Sequence, residues 1–203
     1  MQSAEIELKF LISDIASLEA RLPGLGFHLD TPRTFEANTL FDTPERSLRG
    51  KGQILRVRQY GDLWTLTHKR TPDDDDPESR YKTRIETETH VDDAEALGEI
   101  FCQLGYSPVF RYEKYRTEWS HSTNEDRNPL HLVIDETPIG IWGELEGPVS
   151  RIDSTLAELS IDPATCTTQS YGKLFLGWKE RNESPAENLT FAEIEALQPA
   201  VRA

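Results

Sequence analysis

The 203-residue chain has little cysteine, with two, little methionine, with one, and few basic residues, with 22 Lys and Arg against 36 Asp and Glu. The two thiols, Cys102 and Cys166, stand far apart without a metal-ligand or redox spacing, so neither a disulfide scaffold nor a thiolate metal site is expected. A packed thiol in a reducing compartment is the plain reading of each. The formal net charge of −14 excludes a protein whose affinity rests on coating a nucleic-acid backbone with cations, and it disfavours an acidic membrane surface for the same reason. Residues 1–10 are charged where a secretory signal would be apolar, and no apolar run reaches the length of a bilayer span. A cytoplasmic protein is therefore expected, with neither nucleic acid nor membrane as its partner. There is also no Walker-type loop and no dinucleotide fingerprint, so the commonest backbone cradles for phosphate are missing. The length suits one domain, expected over residues 1–180, followed by a polar C-terminal tail over 181–203.

What the chain does have is alternation. Residues 4–11 place Glu5, Glu7 and Lys9 opposite Ile6, Leu8 and Phe10, the period of a strand with one ionic face. A short amphipathic helix over 14–22 ends at Pro23-Gly24, and 27–41 returns to extended character. A short turn or helix follows Thr43-Pro44-Glu45. Strands over 53–60 and 63–70 are joined by Gly61-Asp62, residues that suit a tight hairpin. The acidic run 73–76 between Pro72 and Pro77 reads as a solvated loop. Another alternating strand covers 80–91, and 92–104 is the best helix, with Asp92 as the expected N-cap and Gly105 as the stop. Strands are expected over 109–121, 130–135 and 141–146, with a polar loop over 122–129. Helices over 152–159 and 171–180 close the domain.

The charged faces recur strand after strand. Arg56 with Arg58 share one face, Lys82, Arg84, Glu86 and Glu88 form a second row, and Lys114 with Arg116, then Glu144 with Glu146, repeat the spacing. Lys69 and Asp135 add single charges at strand ends. For any one strand, a solvated polar face explains the pattern. For the set it does not, because the amphipathic helices must bury their apolar stripes, and the apolar strand faces are the available surface. Helices then lie outside, and if the sheet closes, the ionic rows line a cavity. There an unpaired ion costs several kcal/mol, so the rows either neutralise one another as a salt-bridged filling or meet a ligand. Glu-x-Glu pairs offer hard oxygen donors to Mg²⁺ or Mn²⁺, and clustered guanidinium and ammonium groups neutralise phosphate oxygens. A metal-chelated triphosphate would satisfy both signs at once.

In this order the motifs resemble a known family. Glu5-Ile6-Glu7-Leu8-Lys9 resembles the Glu-x-Glu-x-Lys signature of the CYTH superfamily, the triphosphate tunnel metalloenzymes, and Leu40-Phe41-Asp42-Thr43-Pro44 is similar to its second segment. Leu55-Arg56-Val57-Arg58, Thr65-Leu66-Thr67-His68-Lys69, Arg84-Ile85-Glu86-Thr87-Glu88 and Lys114-Tyr115-Arg116 follow its succession of strands. Asp135 to Gly140, then Glu144-Leu145-Glu146-Gly147-Pro148, resemble its metal-side pair, and Ser170-Tyr171-Gly172-Lys173-Leu174 its closing helix. The resemblance spans roughly residues 4–178. It implies an α+β fold, an eight-stranded antiparallel β-barrel tunnel with a charged interior and helices packed outside.

The same resemblance implies Glu5, Glu7, Asp135, Glu144 and Glu146 near Mg²⁺ or Mn²⁺, and Lys9, Arg56, Arg58, Lys69, Arg84, Lys114 and Arg116 as the triphosphate-binding set. Glu5, Glu7 and Lys9 are the expected catalytic residues, with Lys82, Glu86, Glu88 and Lys173 as secondary candidates. His68 falls on the opposite strand face and is read as packed or exposed. Tyr171 reads as core more readily than as a ligand contact. The expected activity is metal-dependent hydrolysis of an inorganic or organic triphosphate by a monomer or homodimer. A class IV adenylyl cyclase is the alternative, and a non-catalytic triphosphate or nucleotide sensor the second.

Overall fold

The computed structural model describes residues 2–73, 79–121 and 129–197. Residues 74–76 of the acidic run and 122–128 of the polar loop lie outside these ranges. In chain order the elements are β1 Gln2–Leu11, α1 Ile15–Arg21, β2 His28–Asp42, α2 Ser47–Gly50, β3 Ile54–Tyr60, β4 Leu63–Arg70 and β5 Lys82–His90. They continue with α3 Ala94–Gln103, β6 Ser107–His121, β7 Leu130–Thr137, β8 Gly140–Glu146, α4 Val149–Leu159, α5 Tyr171–Asn182 and α6 Phe191–Leu197. The eight strands close into one antiparallel barrel in the order β1-β5-β4-β3-β2-β6-β7-β8. No helix among the described residues is long and apolar enough to cross a membrane.

Closure follows from the alternation. Leu8 and Phe10 of β1, Leu132 and Ile134 of β7 and Leu145 of β8 point outward and are buried by α1 and α4 through Leu18, Ile152, Leu156 and Leu159. A second outer cluster packs α3 through Phe101 and Leu97 against Phe41, Leu55 and Val57. The opposite faces of the same strands, carrying the charges, have only the barrel interior left. The Gly61-Asp62 hairpin forms as expected, between Tyr60 and Leu63. The N-cap of α3 is Asp93, whose carboxylate accepts from Ala96 N at 2.9 Å, and not Asp92. Both are aspartates, and the one three residues before a helical N–H makes the bond.

Two stretches of barrel edge are covered by segments from the C-terminal part of the chain. Beyond Glu7, where β5 has ended, Lys9 exchanges backbone hydrogen bonds with Thr167. Before β7 begins to pair, β6 is met by Leu189 in a parallel bridge at Tyr112, with Leu189 N donating to Arg111 O and Glu113 N to Leu189 O. Ala186, Leu189 and Ile194 are buried there with Tyr112, Tyr171 and Phe175.

One contact on the outer face tolerates no extra atom. Gly143 of β8 pairs with Phe10 of β1, and a Cβ at Gly143 would lie 2.1 Å from Phe10 Cζ. Phe10 is 2 % exposed and has no free space to move into. Gly143→Ala is expected to lower stability by roughly 1–3 kcal/mol through overpacking. Adding Phe10→Leu should recover part of that loss in a thermal melt; no recovery would mean the glycine is needed for another reason.

Candidate active site

The interior rows enclose a cavity of about 250 Å³. Its walls carry seven bases, Lys9, Arg56, Arg58, Lys69, Lys82, Lys114 and Arg116, and six acids, Glu5, Glu7, Glu86, Glu88, Glu144 and Glu146. The lining thus carries a formal +1 inside a chain of −14, its two signs close to balanced. Most of the residues expected at the site meet here, and three do not. Arg84 donates to Thr71 Oγ1 and lines a second pocket at the cavity mouth, as does Lys173. Asp135 sits behind the lining, fully buried. His68 does not line the cavity.

The acids and bases are sorted by strand. β1 and β8 are neighbours, with Glu7 opposite Glu146 and Lys9 opposite Glu144, so one wall brings Glu5, Glu7, Glu144 and Glu146 together. Lys9 Nζ bridges this wall, donating to Glu144 at 2.9 Å and standing 3.2 Å from Glu7, while Lys82 pairs with Glu7. Burial opposes the charge on Lys9, yet Glu144 and Glu7 raise its pKa. Burial likewise works against Glu7, but the neighbouring Lys9 and Lys82 hold its carboxyl well below the usual range. Glu146 makes no ion pair with a described residue and feels only the more distant charge of Lys69. Burial, followed by the charges of Glu5 and Glu144, pushes it up to about 7. A carboxyl lifted first by burial and then by like charges is one that an added cation would relieve.

The opposite wall holds the guanidinium groups. Arg56 donates to Tyr112 Oη at 3.3 Å and to Thr67 Oγ1 at 3.2 Å; Arg58 donates to Thr65 Oγ1 at 3.2 Å and to Glu88 at 3.3 Å. Lys69, paired with Glu86 and 3.7 Å from Glu5, is brought down to about 7 by burial and then by the charge of Arg56.

Between the walls runs a buried group that the alternation predicts only in part. Arg116 clasps Asp135 through two bonds of 2.7 Å, Lys114 donates to Asp135 at 2.9 Å, and Tyr171 Oη donates to it at 2.6 Å. Glu36, wholly buried on β2, stands 3.3 Å from Lys114, and its Oε1 accepts from Asn38 at 2.8 Å. The carboxylate of Asp135, expected among the metal ligands, is thus turned towards two cations and a hydroxyl. Glu36, Tyr112 and the hydroxyls of Thr65 and Thr67 were not singled out from the sequence. Glu36 and Asn38 do continue the inward period of β2 towards Leu40 and Asp42. Tyr171 is both core and lining, its ring centroid 4.9 Å from Lys114 Nζ.

The donors on the β1–β8 wall are all carboxylate oxygens, the chemistry of Mg²⁺ and Mn²⁺, and the raised Glu146 fits an added cation. Among the described residues no three of them converge as a ready-made cation cage; lysine ammonium groups stand between them.

The Glu36–Asp135 group makes a pH prediction. Burial opposes ionisation of both, but Lys114 and Arg116 hold Glu36 down at about 2, and Arg116 and Lys114 hold Asp135 at about 2, against ordinary values of 4.5 and 3.8. Folded values below unfolded ones stabilise fully above the unfolded pKa, and the stabilisation is lost as pH falls towards 2. Melting temperature is therefore expected to hold above pH 5 and to fall steeply between pH 4 and 2. Asp135→Asn, which takes from two buried cations the carboxylate they bond most closely and leaves them Glu36, should lower stability at neutral pH by about 3 kcal/mol and flatten that acid slope. An unchanged slope in the variant would remove Asp135 from the account.

Comparison with known proteins agrees with this geometry. A candidate adenylate cyclase of Methanocaldococcus jannaschii is 28% identical over 159 residues, covering 76% of this chain and 85% of its own. Adenylate cyclase CyaB of Aeromonas hydrophila is 26% identical over 146 residues, covering 70% and 67%. Among solved structures, a candidate adenylyl cyclase of Hippeastrum, described as having a dominant triphosphatase activity, superposes with a TM-score of 0.59 at 17% identity, covering 88% of this chain and 96% of that one. The CYTH domain itself matches residues 3–157, and with the closed barrel and its two-signed interior in view, the chain belongs to the CYTH domain family.

Proposed function

We propose that this protein is a divalent-metal-dependent triphosphatase that cleaves a phosphoanhydride bond of a triphosphate held inside the barrel. The observation that carries the reading is the sorting of the interior into a carboxylate wall and a guanidinium wall around about 250 Å³. Glu5, Glu7, Glu144 and Glu146 would hold Mg²⁺ or Mn²⁺, which supplies charge neutralisation and polarises the phosphate oxygens. Lys9, Arg56, Arg58, Lys69, Lys114 and Arg116 bind and orient the triphosphate; Lys9, touching both Glu7 and Glu144, joins the two walls. Asp135 aims Lys114 and Arg116 instead of serving as a metal ligand, because its oxygens are taken. Glu86 and Glu88, on β5 beside β1, would orient a water for in-line attack.

Hydrolysis needs only that water. Cyclisation needs a ribose 3′-hydroxyl held against the α-phosphorus by the same metal and cations. The adenylate cyclase names of the two sequence relatives support cyclisation as the second reading, and the triphosphatase activity described for the Hippeastrum protein supports the first.

Incubating the protein with tripolyphosphate, thiamine triphosphate and ATP, each with Mg²⁺ or Mn²⁺, should release orthophosphate. Pyrophosphate together with cyclic AMP would establish the cyclase instead, and saturable binding without any product would leave a sensor. Glu5→Gln and Glu7→Gln should each lower metal-dependent turnover by about 100-fold or more. Their melting temperatures should stay near that of the unaltered protein, and unaltered rates in both would refute the metal role. Arg56→Ala should raise KM roughly tenfold, the loss of one charge-assisted contact of about 1.4 kcal/mol.

A further inference from the structure

A second pocket, of about 340 Å³, opens directly onto the first: Leu40, Ile54, Phe110, Ser170 and Gly172 line both. Its character is different. Phe41, Leu55, Val109, Phe175 and Leu176 give it apolar walls, and Leu176 is 49 % exposed with nothing packed over it. Its volume is that of a small-molecule site. Anything seated there while a triphosphate fills the cavity is covalently continuous with that triphosphate or lies against it.

The rim of this pocket is unexpectedly basic. Arg46, Arg49, Arg84, Lys173 and Lys179 line it, against two acids, Asp42 and Glu187, in a chain where acids outnumber bases 36 to 22. Asp42 is spent on the backbone, accepting from the N–H groups of Thr43, Leu48 and Arg49 at 2.8 to 3.0 Å. Those bonds pin α2 to the end of β2 and so fix where Arg46 and Arg49 stand. Arg46, Arg49 and Lys173 make no ion pair with any described residue; the Arg46 guanidinium donates to Val109 O at 3.4 Å and its charge helps to hold Asp42 ionised from a distance. Arg46 moreover holds a left-handed backbone, φ 58°, where glycine or asparagine would sit at lower cost, so the position carries a guanidinium in spite of its conformation.

We propose that the mouth is a subsite for the organic part of the substrate, and that this part is a nucleoside-sized, apolar-faced group bearing an anionic group of its own, such as a phosphate on its sugar. The inference rests on the triphosphatase reading and names its substrate class. Neutral nucleosides would use the apolar walls and leave the forked donors of Arg46 and Arg49 idle; a phosphate outside the triphosphate chain would engage them bidentately. A sugar whose 3′-oxygen is already phosphorylated has no free hydroxyl there to cyclise, so the same rim favours hydrolysis over ring closure.

Calorimetric titration in Mg²⁺ with tripolyphosphate, ATP and adenosine 5′-triphosphate 3′-phosphate tests it, using Glu5→Gln protein alongside the unaltered one so that turnover does not obscure binding. The expected order is a Kd about tenfold lower for ATP than for tripolyphosphate, and about tenfold lower again for the 3′-phosphorylated compound. Arg46→Ala/Arg49→Ala, both exposed positions, should erase the second step, and Leu176→Asp should weaken both nucleotides relative to tripolyphosphate. Equal affinity for the two nucleotides overturns the anionic subsite, and tripolyphosphate binding as tightly as ATP overturns the organic subsite altogether. Failure to bind tripolyphosphate, with no phosphate released by the unaltered protein, instead brings down the triphosphatase reading beneath it.

Discussion

Closing a sheet on itself draws its inward side chains away from bulk water, and in this barrel most of those that line the cavity are ions. Everything else in the molecule answers to that constraint. An isolated buried charge costs several kcal/mol, so each row must find its counter-charge across the lumen or on the next strand. The chain solves this unevenly. Asp135, Glu36, Lys114 and Arg116 form a matched group with Tyr171 as an added donor. The β1–β8 wall sets four carboxylates against Lys9 and Lys82, while Arg56 and Arg58 share Glu88 and lean on the hydroxyls of Thr65, Thr67 and Tyr112. Ion pairs cross the lumen, yet carboxylates and guanidinium groups are sorted to different walls, an arrangement that a chelated polyanion can satisfy on both sides at once.

Much of this was legible in the sequence because period-2 alternation states which residues face the same way. Glu5, Glu7 and Lys9, or Arg56 and Arg58, cannot share a face with Leu8 or Val57 in a regular strand. Strand pairing was harder to read. Glu36 escaped notice because β2 is long, irregular near Thr31 and Thr34, and has only Asn38 and Asp42 as polar companions on its inward face. Asp135 was expected near the metal from its place in the motif; the partners it has here come from β6 and α5, elements whose approach no local pattern encodes. Arg84 obeys the inward period of β5 but lies high enough along the barrel to belong to the mouth.

The apolar residues at 186, 189 and 194 are too sparse to signal an element, and the polar residues around them conceal it. Their burial comes from tertiary contact alone, with Leu189 completing a backbone ladder that β6 offers only because β7 pairs farther along it. The sequence reading of a tail considered composition, whereas burial here depends on three side chains and two main-chain bonds. The same segment backs Tyr112 and Tyr171, both of which reach the lumen with their hydroxyls.

The order of the strands around the barrel also sets a sequence in time. β1 has neighbours in β5 and β8 and none nearer, so Glu5, Glu7 and Lys9 emerge from a ribosome long before the strands that will flank them. During elongation β1 is an unpaired edge whose alternate residues are Ile6, Leu8 and Phe10, the kind of segment that other nascent chains or chaperones engage. The seam closes only when β8 has been made, and the braces at Thr167 and Leu189 follow later still. A lumen walled by β1 and β8 together cannot form before β8 has been made, so its two-signed lining is assembled in one step and not strand by strand.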